Sequence, residues 1–362
     1  MMNNRLYLVT GATGFLGNNV CRRLAEMGMR TRALVMAGDP AEKHLPEGVE
    51  VVHGDLLDGA SLDRFFASDG SDEVYVLHCA SIVWVKLEEN PKVHAVNVDG
   101  TANIIDRCVR HRVWKLVYIS STGAIPECPA GEIIGEVDHF LPTDGLIGYY
   151  SVTKAEATQL VLDAVERHPG LDATIVHPSG ICGPHDYAFG SVTSMIMQFV
   201  QGKMKMGIEG TFNSVDVRDL AEGVIAACDK GRRGECYIMS NEVVTMHDMF
   251  RLINDAAGLS GRSYVLSKEL AQVGVRLLAL VSRFTGKEPL LSAFNIYLLN
   301  RNNDFDCSKA ERELGFRCRP FSESIRDTVA WLRQEGYVTM PTKAKVVDVR
   351  LPALAPSLPR QA

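Results

Sequence analysis

Tyr150 and Lys154, in the stretch GYYSVTK (Gly148–Lys154), stand four residues apart. On a helix that spacing puts both side chains on one face, one turn apart, and the neighbouring Tyr149 meets Thr153 instead. An isolated phenol titrates at about 10. A lysine cation about 4 Å away, at an effective dielectric of about 20, favours the phenolate by roughly 4 kcal/mol, or up to about 3 pKa units. Tyr150 would then exchange a proton near neutral pH, as a general acid or base must. Ser120, Ser121 and Thr122 close the apolar run KLVYI, where a hydroxyl can hydrogen-bond a reacting oxygen. A tyrosine–lysine pair occurs by chance in many helices, so its weight depends on what accompanies it.

What accompanies it is a glycine-rich turn. TGATGFLG (Thr10–Gly17) follows the run RLYLV and opens a helical pattern, giving Gly11-x-x-Gly14-x-x-Gly17. Gly11 permits a tight turn, Gly14 lets a pyrophosphate approach the backbone, and Gly17 lets the helix pack closely on a sheet. Thr13, Phe15 and Leu16 complete the turn and the first helical turn, whose free N–H groups favour phosphate. A strand–turn–helix context of this kind indicates a dinucleotide site. Two further pieces fit it. Asp55, followed by Leu56 in GDL, can accept a hydrogen bond from an adenine amino group. Cys79, Ala80 and Ser81, in HCAS, end another apolar run where the chain would pass the cofactor. An acid at the end of the second strand would hold a ribose hydroxyl and repel a 2′-phosphate. Val35 and Met36 stand there, with Arg32 and Lys43 nearby, so NAD and NADP both remain open.

These residues need strands to hold them. RLYLVT, TRALVM, VEVVHG, EVYVLHCA, KLVYISS and DATIVHPSG read as six strands, most of them separated by helical patterns such as Phe15–Met27 and NVDGTANIIDRCVRHR. The alternation predicts an α/β Rossmann fold, a doubly wound parallel sheet with a smaller C-terminal α/β substrate-binding part. We place the cofactor-binding part mainly in residues 1–184 and the substrate-binding part mainly in 185–335, with strands returning to the sheet. Residues 336–362 form a proline-containing tail expected to be mobile. In the second part VDVRDLAEGVIAACDKG reads as a helix, ECYIMS as a strand, and helices continue to about Arg333.

Composition narrows the class. The chain has 362 residues and a formal net charge of −6, with no Lys/Arg-dense run, which argues against a nucleic-acid partner. Nine scattered cysteines with no CxxC pair point to a reducing, cytoplasmic setting without disulfides or a metal site. A membrane span needs about 20 apolar residues. The best candidate, VGVRLLALV (Val273–Val281), is short and carries Arg276, so no transmembrane span is expected.

Together TGATGFLG, GDL, NVDGT, YISS, YYSVTK, HPSGICGP, SVDVRDLA and DCSKAERELGF resemble the extended short-chain dehydrogenases/reductases of the NAD-dependent epimerase/dehydratase family, over nearly the whole chain to about Leu332. The resemblance implies that Tyr150 is the catalytic acid/base and that Lys154 binds the nicotinamide ribose and tunes Tyr150. It implies that Ser121 orients the substrate oxygen, with Thr122 a possible substitute. Asn97 would support the site from its helix, and His177 to Ser179 would lie beside the nicotinamide. It also implies a homodimer through the helices starting near Asn97 and Tyr150.

Within the family the chain is closest in character to dihydroflavonol reductases and 3β-hydroxysteroid dehydrogenases. Gly180 replaces the asparagine that many nucleotide-sugar members keep. Ile82, Val83 and Trp84 form an apolar wall, and SMIMQFVQGKMKMG, with Met195, suits a bulky apolar ligand. The expected function is therefore NAD(P)-dependent interconversion of a secondary alcohol and a ketone on a hydrophobic small molecule, steroid- or flavonol-like. The alternative is a nucleotide-sugar epimerase or dehydratase. Lys203 and Lys205 favour it, while Gly123 and Ala124, where a dehydratase carries acids, count against it. A cofactor-sensing regulator is a third reading; such proteins typically lose the tyrosine–lysine pair, which this chain keeps.

Overall fold

Alternate residues of the first strand go to opposite cores: Leu6 and Leu8 to one, Tyr7 and Val9 to the other. A strand buried on both faces is what a parallel sheet between two helical layers requires. The computed structural model describes residues 4–70, 72–260, 263–271 and 293–339.

The chain begins β1 (Arg5–Thr10), α1 (Phe15–Glu26), β2 (Arg30–Val35), a short 3-10 turn (Pro40–His44), β3 (Glu50–His53), α2 (Gly59–Phe66) and β4 (Glu73–His78). Next come α3 (Pro91–His94), a π-helical segment (Ala95–Asp99), α4 (Gly100–Arg110), β5 (Lys115–Ile119), α5 (Tyr149–Arg167), β6 (Ala173–Pro178) and β7 (Gly180–Cys182). The second part holds α6 (Ser191–Val200), β8 (Met206–Ile208), β9 (Thr211–Asp216), α7 (Val217–Lys230), β10 (Cys236–Met239), β11 (Val243–Thr245), α8 (Met246–Ala257) and β12 (Tyr264–Leu266). It closes with α9 (Ala293–Asn300), α10 (Ser308–Leu314) and α11 (Phe321–Gln334).

The main sheet has seven strands in the order β10-β6-β5-β4-β1-β2-β3, every pair parallel. One face is covered by α2, α4 and α5, with Leu62, Phe65, Ile104 and Val161 in its core. The other is covered by α1, α7 and α10, with Val20, Leu24, Leu220 and Leu314. The doubly wound Rossmann sheet expected from the alternation is present. A third core lies between α6, α8 and α11, around Phe199, Phe250, Ile253 and Trp331. Beside it run a three-stranded sheet, β11-β9-β7, and a two-stranded one, β12-β8.

Three details differ from the sequence reading. SVD belongs to β9, and α7 begins only at Val217 because Asp216 accepts a hydrogen bond from the Arg218 N–H and caps the helix. The run DATIVHPSG is divided: β6 ends at Pro178, which cannot donate to a ladder, and Gly180 opens β7 in another sheet. The helix expected from Asn97 starts at Pro91, where Asn90 caps it, and Asn97 lies in the π segment. ECYIMS returns to the main sheet, pairing Cys236 with Ile175 and Met239 with Pro178. The apolar stretch Val273–Val281 and the tail beyond residue 339 lie outside the described residues. Among the described residues no helix is long and apolar enough to cross a membrane.

Candidate active site

The carboxyl end of the sheet is where ligands bind in folds of this topology, at the point where strand order reverses. Here that point lies between β1 and β4. Gly11 turns the chain there with φ at 65°, and a Cβ on it would stand 2.7 Å from the Ala80 Cα. The residue is glycine because the end of β4 passes against it. The spacing reading gave Gly17 the task of packing the helix on the sheet. Its constraint is more local: a Cβ there would meet the Gly11 carbonyl oxygen at 2.1 Å. No side chain caps the start of α1 at Gly14, so its N–H groups are left for a ligand. Leu16 is buried, and Phe15 packs partly against the same core. Thr13 Oγ1 donates to Asp39 Oδ2 at 2.7 Å, which brings a carboxylate from the loop after β2 onto the glycine turn.

Asp39 was missed in the sequence, because the two positions closest to the strand end are Val35 and Met36. Its signal is the dipeptide Asp39-Pro40, a cap followed by proline. Its other oxygen does accept from the Ala41 N–H and caps the short turn. Arg32 is drawn away from that edge, donating to the Phe65 and Ala67 carbonyls and pairing with Glu50. Asp55 lies at the end of β3 with one oxygen accepting from the Leu57 N–H, and Leu56 is buried beside it.

At the end of β4 a buried chain of hydrogen bonds fixes the loop. Thr10 Oγ1 lies 2.7 Å from His78 Nδ1, and His78 Nε2 lies 3.0 Å from Thr101 Oγ1. Ala80 N–H donates to the same Thr10 hydroxyl. Burial and the nearby Lys154 charge push His78 down to about 3, so it remains neutral. Asn97 clasps the next residues: its Oδ1 accepts from the Ile82 N–H, and its Nδ2 donates to the Ile82 carbonyl and to Thr153 Oγ1. The π turn delivers that side chain between the β4 loop and α5; such turns recur at functional sites.

Gly148, with φ at 92°, starts α5 and points Tyr150 back to the strand ends. The Tyr150 side chain faces Ser81, just after β4, and Ser121, just after β5. Ser121 Oγ accepts from the Gly123 N–H at 3.0 Å. Burial raises the Tyr150 phenol, and the neighbouring Ser81 and Ser121 hydroxyls lower it by less. The Lys154 amine is turned toward the sheet. Lys154 Nζ donates to the Ile119 carbonyl at 2.5 Å and lies 4.7 Å from the Tyr118 ring centroid. Burial pushes it down to about 7, with Cys79 acting in the opposite direction.

The segment after β5's neighbour β6 faces the same place. His177 is fully buried, stacks on Phe140 at 5.2 Å, and its Nδ1 lies 3.0 Å from the Ser121 carbonyl oxygen. Its Nε2 and the buried Ser179 Oγ have no hydrogen-bond partner among the described residues. Buried polar atoms without partners are rare and call for a ligand or water. With the open helix start and the glycine turn, they fit a dinucleotide cofactor.

The residues expected to touch substrate are less uniform. Thr122 is buried beside Ser121. Trp84 donates from Nε1 to the Glu88 carbonyl with Lys86 over its ring, while its neighbour Val83 is 67% exposed. Met195 packs against the third core. Gly180 pairs with Ser214, and a Cβ there would meet Ser214 Oγ at 2.9 Å, so strand packing alone accounts for this glycine. No group of histidine, cysteine or acidic side chains among the described residues is arranged to hold a metal.

The chain resembles known proteins over most of its length. The model of the NAD dependent epimerase/dehydratase family matches residues 7–240. The chain is 33% identical to sterol demethylase protein B of Methylococcus capsulatus, over 91% of this chain and 99% of that one. It is 29% identical to a putative dihydroflavonol 4-reductase of Synechocystis sp., covering 92% and 96%. The crystal structure of gox2253 superimposes with a TM-score of 0.79 at 30% identity, covering 92% of this chain and 99% of that one.

Proposed function

Since this chain belongs to the NAD dependent epimerase/dehydratase family and is an oxidoreductase of the extended short-chain type, we propose that it interconverts a secondary alcohol and a ketone on a hydrophobic, sterol-like molecule. The observation that carries the reading is the Tyr150 phenol facing the Ser81 and Ser121 side chains at the end of the sheet. The nicotinamide cofactor, when bound, supplies or accepts the hydride. The remaining work falls to the chain itself. Tyr150 delivers a proton to, or takes one from, the substrate oxygen. Ser121 hydrogen-bonds that oxygen and orients it. Lys154 holds positive charge on the same helix face, and Asn97 keeps the β4 loop against α5 so that Ser81 stays in reach. The sterol class is supported by the relative whose name carries it and by the apolar segment around Trp84.

For the cofactor we propose NAD rather than NADP. A carboxylate fixed on the glycine turn by Thr13 disfavours a 2′-phosphate, and Arg32 is engaged elsewhere. The test is the absorbance of reduced nicotinamide, with purified protein, NAD or NADP, and pools of hydroxysterols, hydroxysteroids, flavonoids and UDP-sugars. A rise with sterols and NAD that falls by about 10²–10⁴-fold in Tyr150→Phe is the expected result. Full turnover in Tyr150→Phe would remove the phenol from the chemistry. Sugar isomers formed with no net reduced cofactor would replace the dehydrogenase reading with an epimerase.

A further inference from the structure

Lys154 is 2% exposed, and Cys79 is the one titratable group that acts to keep its charge. The groups that face it are Cys79 and His78 from β4, His177 from β6, and Tyr118 from β5. His78 and His177 are buried and neutral, and the Cys79 thiol is pushed up to about 12, so none offers a counter-ion at neutral pH. Two features remain on the charged side of the balance. One is the Ile119 carbonyl at 2.5 Å; the other is the Tyr118 ring, whose centroid is 4.7 Å from Nζ. A ring face attracts a cation through its quadrupole, and more strongly where water is excluded. The ring itself is locked: Tyr118 is 1% exposed and packs against the His78 imidazole, with centroids 5.6 Å apart.

We propose that Tyr118 is a positioning residue for catalysis, its ring face and the Ile119 carbonyl together seating the Lys154 ammonium on the helix face that it shares with Tyr150. The catalytic meaning rests on the function proposed above; the seat itself does not. Its hydroxyl plays no part in the seat, so phenylalanine should serve equally well.

The protonation of Lys154 is read directly by NMR titration of protein carrying isotope-labelled lysine, with Lys154→Met identifying the resonance. Four backgrounds are compared: the native chain, Tyr118→Phe, Tyr118→Leu, and position 118 filled by mono-, di- and trifluorophenylalanine. Fluorination preserves shape and progressively weakens the ring face. The expected midpoints are close to native in Tyr118→Phe, stepwise lower through the fluorinated series, and about one pH unit lower in Tyr118→Leu, a tenfold change in the equilibrium. In ketone reduction the rate falls as pH rises through the lysine's midpoint, so the alkaline limb of kcat moves to lower pH by the same steps. Identical midpoints in the phenylalanine and trifluorophenylalanine proteins would overturn the proposal. If Tyr118→Leu fails to fold, the fluorinated series decides alone. The two readings fail separately: full turnover in Tyr150→Phe removes the proposed chemistry, while the lysine titrations still decide the seat.

Discussion

A lysine enclosed by protein is costly to keep charged, and Lys154 is enclosed with a hydrogen bond to a carbonyl where a carboxylate would serve stability better. Its folded value, about 7, lies below the ordinary 10.5. The folded state therefore binds this proton less well than the unfolded state does. The stability associated with the neutral amine is full above about pH 10.5 and falls as pH drops toward 7. Two consequences are expected of Lys154→Met. Turnover falls by at least about 100-fold, measured as kcat with the best substrate. Thermal stability at pH 7 rises, by about 2–4 °C for each kcal/mol recovered, measured by calorimetry. Loss of stability on removing the charge would show that the lysine is structural. Histidines give the opposite edge of the pH range. His78 and His177 are pushed down to about 3 and about 4, both by burial first. Their contribution is present above about pH 6.5 and is lost as pH falls toward those values. The midpoint of unfolding should drop through that window, and His177→Asn, which keeps a donor near the Ser121 carbonyl, should flatten part of the slope.

At the scale of elements, the turn between β1 and α1 is the least forgiving. Gly11→Ala would put a methyl carbon against the Ala80 backbone at a backbone angle that alanine rarely adopts. The expected result is loss of NAD binding, measured by calorimetric titration, with a lower unfolding midpoint. Asp39 offers a subtler change. Asp39→Asn keeps the cap on the Pro40–His44 turn while removing the charge, and should raise kcat/KM with NADP relative to NAD by about tenfold. An unchanged ratio would show that the carboxylate does not face the ribose. The glycine spacing, the strand alternation and the Tyr150/Lys154 face were all legible in the sequence, because each depends on local periodicity or on a requirement for no side chain. Asp39 was not, because it reaches the turn through a loop whose path is set by Thr13 and Pro40. Nor was the direction of the Lys154 amine: helix spacing fixes the face of the side chain but not which of two neighbours, Tyr118 or Tyr150, it will meet. Gly180 was noted for its contrast with sugar enzymes, yet its surroundings are a strand neighbour.

Across the whole molecule, the two parts are joined by more than the sheet. Arg22 of α1 donates to the Tyr187 hydroxyl, and His44 stacks on Tyr187 at 3.7 Å. Trp331 of α11 meets the same tyrosine edge-on. The return of β10 to the sheet matters most for how the molecule is made. Until Met239 has left the ribosome, β6 has no neighbour on its outer side and presents a row of unpaired backbone groups. The nascent cofactor-binding half thus spends the synthesis of β7, α6, β8, β9 and α7 with an open edge, the kind of surface to which another chain can add a strand. A chaperone, or slow addition of those elements, would decide how much of the protein reaches its final form.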